Sequence, residues 1–85
     1  MQEKVFLKVR NEVTVLPRIL GVVARQGASM ESLVVRLADN GHLLDIELYL
    51  SAPGGTGQLC KMLAKQVSVL LVEKSVPVAA APMAV

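Results

Sequence analysis

Residues 4–10 alternate. Val5, Leu7 and Val9 fall on one side, Lys4, Lys8 and Arg10 on the other, with Phe6 among them; the segment reads as a strand with one buried face. Asn11, Glu12 and Val13 turn the chain. The apolar period then lengthens: Leu16, Ile19, Leu20 and Val23 recur at helical spacing, with Arg18 and Arg25 off that stripe. Thr14 stands where an N-cap hydroxyl would accept from an orphan amide. Pro17 falls in the first turn, where its missing N–H costs nothing. Gly27 supplies a left-handed stop.

The period returns to two over 29–37, with Leu33, Val35 and Leu37 on one face. Asp39-Asn40-Gly41 marks a hairpin, because Asn-Gly accepts positive φ. A third strand follows over 43–50, with Leu44, Ile46, Leu48 and Leu50 on one side and Asp45, Glu47 and Tyr49 on the other. Ala52-Pro53-Gly54-Gly55 breaks it. Thr56 is placed to cap a second helix running to about Gln66, with Leu59, Met62 and Leu63 inward, and 67–74 reads as the last strand. The order βαββαβ predicts an α+β, ferredoxin-like sandwich: a four-stranded antiparallel sheet with two helices on one face. One domain is expected over 1–75, followed by a flexible tail over 76–85, VPVAAAPMAV.

Composition narrows the function. The chain has 85 residues, enough for one domain and a marginal core. Yet 53% of them are hydrophobic, and the aromatics are Phe6 and Tyr49 alone. That is more aliphatic surface than a small monomer easily hides, so association with a second copy or a larger partner is expected. Nine Lys and Arg against seven Asp and Glu give a mild basic excess without a basic stripe, which disfavours nucleic acid. No apolar run approaches the ~20 residues of a membrane span, and Met1 leads into Gln2, Glu3 and Lys4, so a cytoplasmic location with no membrane contact is expected. The single Cys60 excludes an internal disulfide and reads as a small buried hydrophobe.

No catalytic constellation stands out. His42 is the only histidine and follows a turn, and one His among scattered acids does not make a metal site. Asp45 and Glu47 share one strand face and read as its solvated side. Gly54-Gly55-Thr56-Gly57 opens a helix but lacks the lysine of a phosphate loop. No catalytic residue, metal or cofactor is therefore expected in this chain. The loop from Asn11 to Thr14 differs. It lies at the first helix N-terminus, where free amides and the dipole attract a carboxylate. Asn11 offers both a donor and an acceptor, and Val13, Val15 and Leu16 can line an apolar wall. Such a loop suits an amino acid; equally, Asn11 closes the turn and Thr14 caps.

Residues 9–35 resemble the opening of an ACT domain, in particular that of the small regulatory subunit of acetolactate synthase. That family reads approximately Asn-x-Pro-Gly-Val-Leu-x-Arg-x-x-Gly, then Arg-x-Gly-x-Asn-Ile-Glu-Ser-Leu. Asn11, Val15, Leu16, Arg18, Gly21, Arg25, Gly27, Glu31, Ser32 and Leu33 match it here. The family's Pro-Gly is replaced by Val13-Thr14, and its second Asn by Ser29. The resemblance implies a non-catalytic regulatory subunit in branched-chain amino-acid biosynthesis. It implies a homodimer through the second strand, docked on a large catalytic subunit that carries thiamine diphosphate, magnesium and flavin. It also implies an effector site for a small branched-chain amino acid, usually valine, at a dimer interface, formed by Asn11, Val13, Thr14, Val15, Leu16, Ser29 and Met30. A side chain at Thr14 would crowd a ligand that approaches a glycine backbone, and Ser29 offers a hydroxyl in place of an amide. Weakened or absent valine feedback is therefore expected. The alternatives are a stand-alone ACT sensor serving another enzyme and, remotely, an acylphosphatase-like hydrolase using Arg10 and Asn11.

Overall fold

The structure, a computed structural model, describes residues 2–75; the tail expected over 76–85 lies outside the described residues. Six main elements follow one another: β1 (Gln2–Arg10), α1 (Val15–Arg25), β2 (Ser29–Ala38), β3 (Leu43–Ser51), α2 (Gly57–Ala64) and β4 (Val69–Ser75). The strands form one sheet in the order β2-β3-β1-β4, and every neighbouring pair is antiparallel. This is the ferredoxin-like arrangement that the pattern predicts.

The alternation along the strands sets the two faces. Val5, Leu7 and Val9 pair with Leu48, Ile46 and Leu44, and all six are buried beneath the helices. Helix α1 contributes Val15, Ile19, Val22 and Val23 to this core, and α2 contributes Leu59 and Leu63. Among the described residues the opposite face of the sheet carries no helix. There Lys8 Nζ donates to Asp45 at 2.8 Å and Lys4 stands 4.0 Å from Glu47. Asp45 and Glu47 thus lie on the solvated side, as their spacing predicts, each facing a lysine of β1.

Helix α1 ends as its glycine predicts. Gly27 takes φ +72°, its N–H donates to Ala24, and the Ala28 N–H reaches back to Val23. These two bonds are the Schellman pair, and they satisfy carbonyls the helix leaves open. A Cβ at Gly27 would touch nothing, so replacement costs only the backbone strain. We expect Gly27→Ala to destabilise the chain by about 1–2 kcal/mol, read as a lowered denaturation midpoint with an unchanged m-value.

Four local readings need correction. Thr14 stands at the N-cap position of α1 but makes no capping bond; its hydroxyl accepts instead from Arg18 Nη2 at 3.1 Å. Thr56 does not cap α2 either, because its buried hydroxyl donates to the Glu3 carboxylate across the β1 terminus. Helix α2 stops at Ala64 rather than near Gln66, and β4 begins at Val69 rather than Val67. Val67 is 86% exposed in the intervening turn, whereas Ser68 is buried and donates to Glu12. Finally, Tyr49 shares the solvated strand face with Asp45 and Glu47 yet is only 4% exposed.

Candidate functional site

The loop between β1 and α1 is held from three directions. The Asn11 N–H donates to the His42 carbonyl at 2.9 Å, and its side-chain Nδ2 donates to the Gly41 carbonyl at 2.8 Å. The Glu12 carboxylate accepts from Ser68 in the turn before β4, and the Arg10 N–H donates to the Ser68 carbonyl. Within the loop the Val15 N–H is taken by the Glu12 carbonyl at 3.1 Å. Pro17 has no N–H to offer. The first turn of α1 therefore presents fewer free amides than an ordinary helix start.

The seven expected site residues separate into three environments. Asn11, Val13 and Thr14 are exposed at the loop, Val13 at 96%. Val15 points into the core at 1% exposure, and Leu16 packs against it, so Val15 supports the loop from below and forms no wall for a ligand. Ser29 and Met30 lie at the far end of the sheet. Ser29 is level with Ser51 and Gln2, while Arg10 is level with Leu43, and Leu43 with Ala38. Eight residues of strand separate the two levels, about 27 Å at ~3.4 Å per residue. One chain therefore does not bring Ser29 and Met30 to Asn11.

The pattern did not single out Arg18 as a site residue. Its guanidinium reaches back over one helical turn to Thr14 and places a cation beside the loop. The i, i+4 spacing from Thr14 to Arg18 was a signal for this contact. The groups gathered here, the Arg18 cation with the polar side chains of Asn11 and Thr14, are of the kind that could hold an anion.

The other singled-out groups are structural. His42 is exposed after the turn Asp39–Gly41, where Asp39, Asn40 and Gly41 all take positive φ. Among the described residues no cluster of His, Cys, Asp and Glu could hold a metal ion. Cys60 is partly buried against the core, and that burial pushes its thiol above the ordinary value. The thiolate, which is the reactive form, is therefore disfavoured. We expect Cys60 in the folded chain to react with a disulfide reagent near pH 8 several-fold more slowly than a free cysteine, and denaturant to remove the difference.

The chain matches no protein-family model, and a search of curated proteins finds no match. Solved structures do match it. The ACT domain from GTP pyrophosphokinase of Chlorobium tepidum superposes with a TM-score of 0.76 at 16% identity, over 88% of this chain and 97% of that one. The C-terminal domain of the MgtC protein from Mycobacterium tuberculosis gives 0.71 at 17% identity, over 89% of this chain and 86% of that one. A homoserine dehydrogenase from Thiobacillus denitrificans gives 0.63 at 17% identity, over 87% of this chain but 17% of that one. At such identities the likeness concerns the fold: the chain folds as an ACT domain does. No described helix is long and apolar enough to cross a membrane.

Proposed function

From an ACT-type fold with an unpaired apolar edge, we propose that this chain is a non-catalytic regulatory module. It pairs with a second copy through β2 and acts on the large catalytic subunit of acetolactate synthase. The observation that carries the reading is β2. Leu33, Val35 and Leu37 face the helix layer in register with Leu48, Ile46 and Leu44, yet they remain 38%, 37% and 70% exposed. The helices leave these side chains partly uncovered, and among the described residues one side of the β2 backbone has no partner strand. Such an edge invites pairing.

A two-fold pairing of β2 with β2 would complete the candidate site. Residues 29 and 38 are the strand ends, so an antiparallel pair centred on Val34 sets Ser29 of one copy level with Asp39 of the other, just past its Ala38. The turn after Ala38 carries Gly41, which holds Asn11. Ser29 and Met30 of the second copy would then approach the Asn11–Thr14 loop that they cannot reach within one chain. A small amino acid bound there would bridge both copies. Its coupling to the catalytic subunit would have the usual size, about 1–3 kcal/mol.

The finer assignment rests on the resemblance of residues 9–35 to the acetolactate synthase subunit. It is tested by titrating purified catalytic subunit with this chain and following acetolactate formation. We expect a saturable rise in activity with little response to valine. A catalytic subunit that is fully active alone, and unchanged by the chain, sinks the assignment.

A second reading, a stand-alone amino-acid sensor serving another enzyme, is favoured by Arg18 beside Thr14. That cation suits a ligand carboxylate whatever the partner. Calorimetry against the twenty amino acids separates the two: heat with one of them, lost in Arg18→Gln, supports the sensor. Silence from all twenty counts against it.

A further inference from the structure

On the helix-free face an aromatic ring lies between two carboxylates. Phe6 on β1 is level with Glu47 on β3 and with Glu73 on β4. The three side chains form one rung across the sheet, about 5 Å apart from strand to strand. Phe6 is half-buried and Glu73 is exposed. Around them lies a shallow depression of about 590 Å³, lined by Lys4, Phe6, Glu47, Glu73 and Lys74. That is room for a small molecule rather than for a bare ion.

The charges around the ring do not cancel on its β4 side. The Lys4 ammonium is drawn toward β3, 4.0 Å from Glu47 and 5.8 Å from the Tyr49 ring centroid. Lys74 is level with Val5, on the helix side of the sheet, and stands 4.0 Å from Glu3. Lys8, the next cation along β1, is taken by Asp45. Each of these lysines is engaged by an acid other than Glu73, and among the described residues Glu73 has no ion pair of its own. Leu71, two residues along the same face of β4 and 39% exposed, adds apolar surface beside it.

These groups select one kind of ligand. The ring attracts a cation through its quadrupole, and the carboxylate pairs with it. The apolar surface favours an alkyl stem. A hard metal ion wants several oxygen ligands and finds one uncommitted carboxylate. A guanidinium suits the site well, because its plane stacks on a ring while its fork takes a carboxylate. We propose that the Phe6 depression is a site for a small organic cation, a guanidinium or alkylammonium group on a short apolar stem, seated on Phe6 and paired with Glu73. The site lies on the face away from α1, so it depends neither on the Asn11–Thr14 loop nor on pairing through β2.

The test is a titration of the isotope-labelled full chain with butylguanidinium, followed by its amide resonances, with butylurea as the neutral isostere. Saturable shifts centred on Phe6, Glu47 and Glu73 are expected, weaker at high salt, with no saturable response to butylurea. Glu73→Gln should weaken binding several-fold, and Phe6→Leu likewise. Shifts that grow linearly without saturating, or that spread evenly over the carboxylates of the chain, overturn the proposal. So does butylurea binding as tightly as butylguanidinium, or a Glu73→Gln chain that binds like the parent. Glu73 is exposed on an edge strand, so its replacement leaves the core intact. If Phe6→Leu fails to fold, the parent titration and Glu73→Gln still decide.

Discussion

Leu7→Ala is expected to cost about 3–5 kcal/mol of folding stability, a large part of what a domain of this size possesses. Leu7 is fully buried at the centre of β1, paired with Ile46 on one side and Val72 on the other. Truncation there removes apolar area and leaves a cavity that two hydrogen-bonded neighbours prevent from collapsing. Both helices rest on the same layer, so the loss is shared by every element. Chemical denaturation should show a large fall in midpoint. Leu71→Ala is the control, because Leu71 is 39% exposed on an edge strand and should shift the midpoint by less than about 1 kcal/mol. Equal effects would mean that the core is not where the buried residues place it.

The two apolar periods carried most of this fold. The alternation in β1 and β3 and the helical stripe of α1 are long and undiluted, and one buried face per element leaves little choice of packing. Gly27 and the Asp39–Gly41 turn were legible because positive φ selects Gly and Asn. The errors lie where a side chain has a distant partner. Thr56 looks like a cap from its neighbours, but its hydroxyl is claimed by Glu3, 53 residues away. Ser68 gives no local sign that it locks Glu12. Tyr49 obeys the alternation in direction and departs from it in burial.

The candidate site was legible only in part, for a related reason. Asn11 and Thr14 belong to a local loop, so their spacing places them together. Ser29 was grouped with them by resemblance, and the register separates it from them by a strand's length. No periodicity within one chain encodes what a second chain would supply. Val15 was misassigned as wall because the first residue of a helix can point either way, and the core takes it here.

Val35→Lys should convert a dimer into a monomer. Val35 is level with Ile46 on the helix side of β2 and stays 37% exposed, at the middle of the row formed with Leu33 and Leu37. In a two-fold β2 pair its side chain meets the second copy, and the change enters the interface twice. Losing about 1 kcal/mol of burial on each copy weakens association by roughly 30-fold, and the two introduced charges repel one another besides. Sedimentation equilibrium should show the parent as a dimer and Val35→Lys as a monomer with unchanged far-UV circular dichroism. Arg36→Ala, on the helix-free face beside Asp45, should leave the dimer intact. If the interface also assembles the amino-acid site, Val35→Lys must lose any effector response together with dimerisation, even though no residue of the Asn11–Thr14 loop has changed. A monomeric parent, or a Val35→Lys chain that still pairs, would remove the edge strand from the regulatory proposal and leave Asn11, Thr14 and Arg18 to act within one copy.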